Sequence, residues 1–563
     1  MVRKTIFLPF WLRDYRQSFL KADLTAALLV AVMLIPQSMA YAMLAGLPPV
    51  YGLYASTLPL VAYSLLGSSR HLAVGPVAIL SLLVAAACSP LAVPGTVEYL
   101  QLVTLLTLMV GVFQFVLGVL RVGFLVNFVS RAVVSGFISA GAIIIGLSQA
   151  RHLLGVDLAS RHSTVELLVE LAARLGETNL PTALLGLGAV GVLAVMKRKC
   201  PRFPAALVVV AGSTALVYLL RLDRYGISIV GEVPGGLPGW SSPVIEWGMA
   251  TRLFPAAMVI LFVGYMESVA VSQWVASREK YRISPNREFL GLGAANIVAA
   301  LFSGYAVTGG FSRTAVNHQA GAKSPLAAVA TALLLLAVLI FFTPLFYYLP
   351  QTVLAAIIIV AVSGLIDVKS AMALFRVKKA DGWTLLATFS ATLLIGAEQG
   401  ILVGVGFSLL LFIARSAYPR TSVLGYVEEK GGYRDLQHYP QAVTHPGVVI
   451  MRVDASLYFA NARFVEDHVR EELNDKPEVK WLIFDMSGVN DIDGEAIATL
   501  GRLLDDFAPR RVGFAFASVK AQVRDVISRA DWSRYRENIF EYPNLEQAMR
   551  EIKRSMRIPG SAP

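Results

Sequence analysis

Long apolar runs separated by short polar connections fill this sequence up to about residue 414. Several are near the length of about 20 residues that an α-helix needs to cross a bilayer. The runs cover residues 26–44, 51–66, 71–87, 101–120, 124–149, 181–196, 204–220, 253–276, 289–302, a broken segment around 312, 325–342, 352–365, 383–395 and 401–414. The pattern predicts a polytopic α-helical membrane protein with about fourteen membrane segments.

Glycine interrupts two of these segments. In the third, Gly75 and Pro76 predict that a helix starts at Pro76, and the roughly 12 apolar residues that follow are too few to cross a bilayer. The tenth contains residues 308–321, T-G-G-F-S-R-T-A-V-N-H-Q-A-G. Its glycine pair can break a helix and Ser312 can cap a new one. Both segments are therefore predicted to be half-helices that begin inside the membrane.

Arg313 lies beside the second predicted break. An arginine at bilayer depth costs about 2.5–3.5 kcal/mol on insertion scales, so its side chain should face the protein interior, water or an anion. A helix that begins in mid-membrane points free N–H groups and a positive dipole end at the same place, which is how an anion site is built there. The residues are also compatible with a re-entrant loop, or with a kinked span and one snorkelling arginine.

Two further segments carry polar groups in mid-span. In the first, Pro36 is expected to disrupt the helix and to place Gln37 and Tyr41 one turn apart at the break. In the eighth, Glu267 is a functional candidate, because a carboxylate in a membrane is harder to ionise than in water and could take up a proton. The same carboxylate could instead be the structural partner of an arginine such as Arg313.

Composition supports the membrane prediction. Of 563 residues, 56% are hydrophobic and 15% charged, and the mean hydropathy is +0.62. The net charge of +11 is expected from basic cytoplasmic loops and does not indicate nucleic-acid binding. With the N-terminus inside, the basic stretches 197–202, 278–287 and 369–379 fall on the cytoplasmic side, as the positive-inside rule requires, although the arginines between residues 151 and 174 do not. An even number of segments also leaves the C-terminus in the cytoplasm.

Other classes of protein find little support. The two cysteines, Cys88 and Cys200, form no metal-binding pattern and no disulfide framework. No nucleophile–base pair or metal-ligand spacing predicts an enzyme or a cofactor. The basic N-terminal arm has no cleavage site of the signal-peptide type.

The two halves of the membrane region correspond. Counted from the start of each half, the third segment matches the tenth, and the first matches the eighth, which places Gln37 opposite Glu267. Broken segments at equivalent places in two halves predict a transporter site at the interface of inverted repeats. Chance alignment of two short segments is the alternative.

The C-terminal region has a different pattern. Residues 448–453, 481–484 and 512–517 predict strands, and residues 462–473, 494–507 and 520–530 predict helices. Strands that alternate with helices predict a small soluble α/β domain, a sheet with helices on one face.

Several motifs resemble the sulfate-permease (SulP) family of anion transporters, which is related to the animal solute-carrier anion exchangers and to prestin. They are P-P-V-Y-G-L-Y-A-S at residues 48–56, G-S-S-R-H at 67–71, V-G-P-V-A at 74–78 and S-R-T-A-V-N at 312–317. In the tail, D-M-S-G-V-N-D-I-D-G at 485–494 resembles a STAS domain. Gly494 stands where related bacterial regulators have a phosphorylatable serine, which argues against phosphorylation at that position.

The resemblance implies a uracil-permease-like fold of two inverted seven-segment repeats, in which a core domain moves against a gate domain like an elevator. It implies an anion site between the third and tenth segments, and a proton-coupling carboxylate at Glu267. Applied to this sequence, the anion-site residues are Gln37, Tyr41, Gly75, Pro76, Val77, Ala78, Phe311, Ser312, Arg313 and Thr314.

The resemblance also implies domain boundaries and partners. A cytoplasmic arm covers residues 1–24 and the transport domain residues 25–418, with repeats at about 25–221 and 253–418. A linker and the start of the C-terminal region cover 419–445, and the STAS domain and tail cover 446–563. A homodimer in the bacterial inner membrane is expected, with the lipid bilayer, a small anion and H⁺ or Na⁺ as partners and no nucleic acid.

The predicted function is proton-coupled symport of sulfate, bicarbonate or a dicarboxylate of the fumarate or succinate type. The alternatives are an anion exchanger, an anion channel or membrane motor, a sodium-coupled bicarbonate carrier and a nucleobase carrier of the same fold.

Overall fold

The computed structural model describes residues 10–13, 15–123, 130–156, 164–199, 205–530 and 539–557. The chain forms two compact units, Met1–Ser408 and Leu409–Pro563. Parts of the predicted N-terminal arm, the start of the fifth segment at Phe124, Cys200, Pro204 and the last six residues of the tail lie outside the described residues.

The first unit is helical. Its first half contains α1 (Phe10–Arg13), α2 (Leu20–Leu44), α3 (Val50–Ala55), α4 (Leu58–Leu66), strand β1 (Val74–Gly75), α5 (Ala78–Cys88), α6 (Val97–Val119), α7 (Arg131–Ser148), α8 (Ala150–Leu154), α9 (Thr164–Ala173), α10 (Leu180–Lys199) and α11 (Ala205–Leu220). Its second half contains α12 (Trp247–Arg278), α13 (Pro285–Leu301), strand β2 (Thr308–Gly309), α14 (Phe311–Gln319), α15 (Leu326–Phe341), α16 (Gln351–Ser363), α17 (Val368–Val377), α18 (Lys379–Leu394) and α19 (Ala397–Ala417), which extends into the second unit.

Several of these helices have the length and composition of membrane segments. Within the described residues, six helices are long and apolar enough to cross a membrane, and further apolar helices are shorter. The helices pack in two groups. In one, α2, α4, α5, α6 and α12–α15 pack on one another, and α4 and α12 also pack on the two strands. In the other, α7 packs on α16 and α18, and α10 on α11 and α16.

The helix α2 corrects one prediction. It is continuous through Pro36 instead of breaking there. A proline removes a single N–H donor, and the packing of neighbouring helices lets a membrane helix tolerate that loss. α3 packs closely against the helical turn that follows Pro36. A Cβ atom built on Gly52 of α3 would lie only 1.9 Å from the carbonyl oxygen of Ser38.

Three boundaries also differ from prediction. α5 begins at Ala78 instead of Pro76, because the preceding residues are extended and pair with β2. α14 begins at Phe311 with Gly310 as its N-cap, so Ser312 lies inside the helix and does not cap it. α12, which contains the eighth segment, begins at Trp247 instead of residue 253, so the connection before it ends at residue 246.

The second unit is a six-stranded sheet with helices on both faces. The strands are β3 (Thr421–Val427), β4 (Gly432–Asp435), β5 (Val448–Val453), β6 (Trp481–Asp485), β7 (Gly513–Ala517) and β8 (Ile539–Tyr542), in the order β4-β3-β5-β6-β7-β8. β3 runs antiparallel to its neighbours and the other pairs are parallel. The helices are α20 (Ala462–Asn474), α21 (Gly494–Phe507), α22 (Ala521–Arg529) and α23 (Leu545–Arg557).

Alternate residues of the strands build two cores. Phe484 and Phe516 point toward α20–α22, whereas Ile483 and Ala515 point toward α23. The prediction of helices on one face was therefore wrong, because the hydrophobic face of α23 covers the other side. Strands β3 and β4 lie in the stretch predicted as a linker and the start of the C-terminal region.

Candidate functional site

A buried two-stranded ladder joins the two interrupted segments. β1 pairs with β2 in antiparallel register, with Val74 opposite Gly309 and Gly75 opposite Thr308. Because α5 follows β1 and α14 follows β2, the two helices leave the ladder from opposite ends. Because the ladder is only two residues long, the N-terminal ends of both helices lie close together, and Arg313 of α14 reaches the carbonyl of Pro76 before α5.

Neither helix begins with a side-chain cap. The N-cap residues, Val77 of α5 and Gly310 of α14, supply no side-chain hydrogen bond. The first helical backbone bonds run from Ser81 N to Val77 O and from Thr314 N to Gly310 O, both at 3.0 Å. The N–H groups of the first turns therefore have no hydrogen-bond acceptor within their own helices. They lie at the positive ends of two helix dipoles. Such an arrangement favours an anion.

Side chains of α14 satisfy the backbone on the β1 side. Thr314 Oγ1 accepts a hydrogen bond from Ala73 N at 3.1 Å, and Arg313 Nη1 donates to the carbonyl of Pro76 at 2.8 Å. Asn317 Nδ2 donates to a carbonyl upstream of β1 at 2.8 Å. These backbone groups have no water to bond with inside a membrane, so the polar face of α14 stabilises the extended segment before α5.

Side chains from two other helices form hydrogen bonds with the backbone along the outer edge of β2. From α13, Asn296 Oδ1 accepts from Val307 N at 2.8 Å, while its Nδ2 donates to Val307 O at 3.1 Å. From α12, Ser268 Oγ accepts from Gly309 N at 2.7 Å. The two side chains therefore take the place of a third strand along β2 and fix the position at which α14 begins.

Arg313 and Glu267 leave buried polar atoms unsatisfied at this junction. Arg313 is 2% exposed, and its Nε and Nη2 have no hydrogen-bond partner among the described residues. Glu267 Oε2, on α12, has none there either. Arg313 and Glu267 are close enough to interact electrostatically. Within the described residues, however, they do not form an ion pair with each other. Unpaired buried polar groups cost about 1–3 kcal/mol each, which indicates a place for a ligand.

The other predicted site residues lie around the same junction. Gln37 and Tyr41 are buried on α2, and Tyr41 is within electrostatic range of both charged groups. Ser312 and Phe311 are exposed, and the Phe311 ring lies 5.1 Å from the ring of Trp274. Gly75, Pro76 and Val77 form the extended entry to α5, and Ala78 is its first residue. Of the predicted set, Thr314 is bonded to backbone on both sides.

The sequence-based site omitted the residues that hold the ladder. Asn296, Ser268 and Asn317 make those bonds, and Trp274 packs on Phe311. Each is a polar or aromatic residue in an apolar segment, and this feature could have marked it as a candidate from the sequence. Their spacing in the sequence, however, does not predict which backbone groups they meet.

A second buried carboxylate belongs to the framework. Glu288 of α13 accepts hydrogen bonds from Ser68 N at 2.8 Å, Ser68 Oγ at 2.6 Å and Tyr63 OH at 2.7 Å. These bonds attach α13 to α4 and to the loop before β1. Because its oxygens are satisfied by protein donors, Glu288 is a structural residue and not a ligand group.

In the second unit, the D-I-D-G loop shapes the start of α21. Asp493 Oδ1 accepts from Ala496 N at 2.8 Å, and its Oδ2 accepts from Phe459 N at 2.8 Å. A Cβ atom built on Gly494 would meet nothing within 4 Å. Asp493 is thus an N-cap that also holds a neighbouring loop. There is free space for a side chain at position 494, where related regulators have a serine.

Apolar helices of membrane length, with two half-helices meeting at an uncapped junction, define a polytopic membrane transporter with a C-terminal α/β domain. Comparison with known proteins agrees. The sulfate permease family model matches residues 20–388 and the STAS domain model matches residues 439–548.

Relatives extend the match to most of the chain. The chloroplastic sulfate transporter 4.1 of Arabidopsis thaliana is 40% identical over 546 residues, covering 93% of this chain and 79% of its own length. Sulfate transporter 1.1 of the same plant is 35% identical over 531 residues, covering 90% and 82%. The chain belongs to the sulfate permease family. It is therefore an anion transporter and not an enzyme.

Solved structures share the fold. The murine solute carrier 26 family member A9, an anion transporter in the inward-facing state, superposes with a TM-score of 0.90 at 26% identity, covering 97% of this chain and 93% of that one. The transmembrane domain of the cyanobacterial bicarbonate transporter BicA gives a TM-score of 0.61 at 24% identity, covering 70% and 98%. The prediction of a polytopic helical transporter with a STAS domain is confirmed.

Proposed function

We propose that this protein is a secondary active transporter that moves an inorganic oxyanion or a dicarboxylate together with H⁺. The observation that carries the proposal is the pair of unpartnered Arg313 nitrogens beside two uncapped helix starts. An anion placed there would accept hydrogen bonds from Arg313 and from first-turn N–H groups, which together would replace its hydration shell. Sulfate is our first choice, because the names of the plant relatives specify sulfate.

Glu267 is the proposed proton carrier. Its unpartnered oxygen lies on the helix whose Ser268 holds β2, so a change in its charge would act directly on the anion junction. Protonation would remove a negative charge as the anion enters and so reduce electrostatic repulsion. The absence of an ion pair to Arg313 in the described chain weighs against a purely structural carboxylate.

The movement we propose is elevator-like. The helices around the ladder would form the core domain, and the group built on α7, α10, α16 and α18 the gate domain. About fourteen segments in two inverted repeats would account for the antiparallel pairing of β1 with β2, because inversion makes equivalent segments run in opposite directions. We further propose a homodimer in the bacterial cytoplasmic membrane with both termini inside. The basic loops support this orientation, although the relatives named above are plant proteins.

Uptake into proteoliposomes tests the coupling. Glu267→Gln should abolish sulfate uptake driven by a pH gradient while leaving sulfate binding intact. Glu98→Gln removes an exposed carboxylate on α6 and serves as the control. Undiminished gradient-driven uptake by Glu267→Gln would refute the proton role, and a dependence on a sodium gradient instead would identify Na⁺ as the coupling ion.

Placement of the anion and the type of transport need separate tests. Ser312→Trp should block uptake sterically, whereas Gln101→Trp on the exposed side of α6 should not. Normal uptake by Ser312→Trp would argue against the site.

Saturable flux without channel currents in the reconstituted protein would support a carrier, and currents would favour the channel alternative. Counterflow with sulfate, bicarbonate, fumarate, succinate, chloride and uracil would identify the substrate.

A further inference from the structure

The short helix α17 lies on the same face of the first unit as the basic loop after α12. α12 begins directly after the 226–246 connection, and α16 begins where Gln351 N donates to Ser228 O of that connection at 2.9 Å. In the fourteen-segment arrangement proposed above, α12 is the eighth segment and α16 the twelfth, so both cross the membrane in the same direction. α17, which follows α16, then lies on the side where α12 ends. Arg278 at the end of α12, with Lys280 and Arg282 in the loop after it, places α17 at the cytoplasmic surface by the positive-inside rule.

α17 exposes an apolar stripe. Val368 and Met372 are 60% and 51% exposed, and they share one face of the helix with Phe375, at i, i+4 and i+7. Phe375 lies edge-on to Trp383 of α18, with 6.0 Å between the ring centroids, so α17 is attached near its C-terminal end, while Val368 and Met372 stay exposed. None of the ten residues of α17 is buried. An apolar stripe left open at a membrane surface matches the acyl boundary of the bilayer.

Cations flank the apolar stripe. Lys369 and Arg376 are seven residues apart and therefore lie on one face of α17, and Lys378 and Lys379 follow its end. All four are exposed. Of the two nearby carboxylates, Asp367 accepts hydrogen bonds from Ser370 N and Oγ and caps the helix, and Asp381 lies in the first turn of α18. The local charge is positive on balance.

We infer that α17 is an interfacial helix that binds anionic phospholipids of the cytoplasmic leaflet. Val368 and Met372 would enter the acyl boundary, while Lys369, Arg376, Lys378 and Lys379 contact headgroup phosphates. The negative surface potential of that leaflet attracts such a segment. The helix would thus anchor the connection between α16 and α18 to the membrane surface.

Lipid retention by the full-length protein tests this inference. The protein is reconstituted in phosphatidylcholine vesicles with roughly a third phosphatidylglycerol, extracted in mild detergent, and its retained lipids are measured by mass spectrometry. Wild type should be enriched in phosphatidylglycerol. Replacing the four cations by glutamine should reduce that enrichment at least about fivefold, the effect expected from the loss of even one well-placed cation.

Matched variants separate this outcome from general charge effects. The control replaces four exposed cations of the second unit by glutamine, at Arg463, Arg529, Lys553 and Arg554, and should leave the enrichment unchanged. Val368→Ser with Met372→Ser should lower the retention of both lipids, because the apolar contact is lost. Thermal unfolding of each variant checks folding.

Three outcomes would overturn the inference. One is unchanged phosphatidylglycerol enrichment in the folded four-glutamine variant. Another is an equal loss of enrichment in the control variant. The third is displacement of phosphatidylglycerol by inorganic phosphate at matched concentration, which would identify a site for free phosphate instead of a lipid surface.

Discussion

The two half-helices α5 and α14 begin beside the same two-stranded ladder but differ in composition. α5, A-I-L-S-L-L-V-A-A-A-C, contains no charged residue and is mostly buried, whereas α14, F-S-R-T-A-V-N-H-Q, contains an arginine, a histidine and two amides. Both start without a side-chain cap at the same ladder. The junction where we propose that the anion binds is therefore symmetric in its backbone and asymmetric in its side chains.

This difference assigns separate tasks to the two helices. α14 supplies side chains that bond to the backbone before α5, through Arg313, Thr314 and Asn317. α5 returns no charged group and offers the junction its first-turn N–H groups. One helix thus holds the other in place, and the anion would meet backbone donors from both but a cation from one.

Removing the cation should have the largest effect. Arg313→Met keeps most of the side-chain volume but removes the charge, the two nitrogens proposed to bind the anion and the bond to Pro76. A charge-assisted hydrogen bond contributes about 1.5–3 kcal/mol, so the loss of two should weaken sulfate binding at least about 100-fold. Binding of radiolabelled sulfate to purified protein measures this.

The control for that measurement is Arg252→Met, an exposed arginine on α12. If Arg313→Met bound sulfate with normal affinity while remaining folded, Arg313 would be only a structural donor to Pro76. The junction would then function through its backbone alone.

Removing the support of β2 should have the next largest effect. Asn296→Leu leaves the N–H and C=O of Val307 unpaired, at about 1–3 kcal/mol each, and frees the strand that positions α14. We expect uptake to fall about 30-fold and the melting temperature to fall with it. Asn286→Leu, which removes a bond to Gly123 N at the start of α13, should lower stability without weakening sulfate binding. Equal sulfate affinities for the two variants and wild type would show that β2 does not depend on Asn296.

The sequence was sufficient to predict the two interruptions, the charged group beside one of them and the two-unit organisation. A glycine–proline step and a glycine pair disfavour a continuous helix, and an arginine in an apolar segment is costly unless it faces a polar site. The sequence was not sufficient to predict that Gly75 pairs with Thr308, since such contacts join residues far apart in the chain. The continuity of α2 through Pro36 could not be predicted either, because it depends on packing by α3. α23 was missed because its apolar stripe is short and its remaining residues are highly polar.

A backbone donor of α5 can be removed without removing a side chain. Ala78→Pro deletes the N–H at the first position of the helix, where proline is well tolerated, and Val77 already has the extended backbone that precedes a proline. We expect sulfate affinity to fall about tenfold, the loss of one hydrogen bond to a charged ligand. Unchanged affinity, with the melting temperature also unchanged, would mean that α5 gives no donor to the anion.

The smallest effect should come from a side chain of α5. Val77→Ala removes two buried methyl groups from the N-cap position but keeps the backbone that starts the helix. Stability should fall by about 1–2 kcal/mol from the lost burial, while sulfate affinity changes less than about threefold. Calorimetry and sulfate binding on one preparation give both quantities. An affinity loss as large as that of Ala78→Pro would contradict the asymmetry between the helices, because the side chains of α5 would then contribute to the anion site.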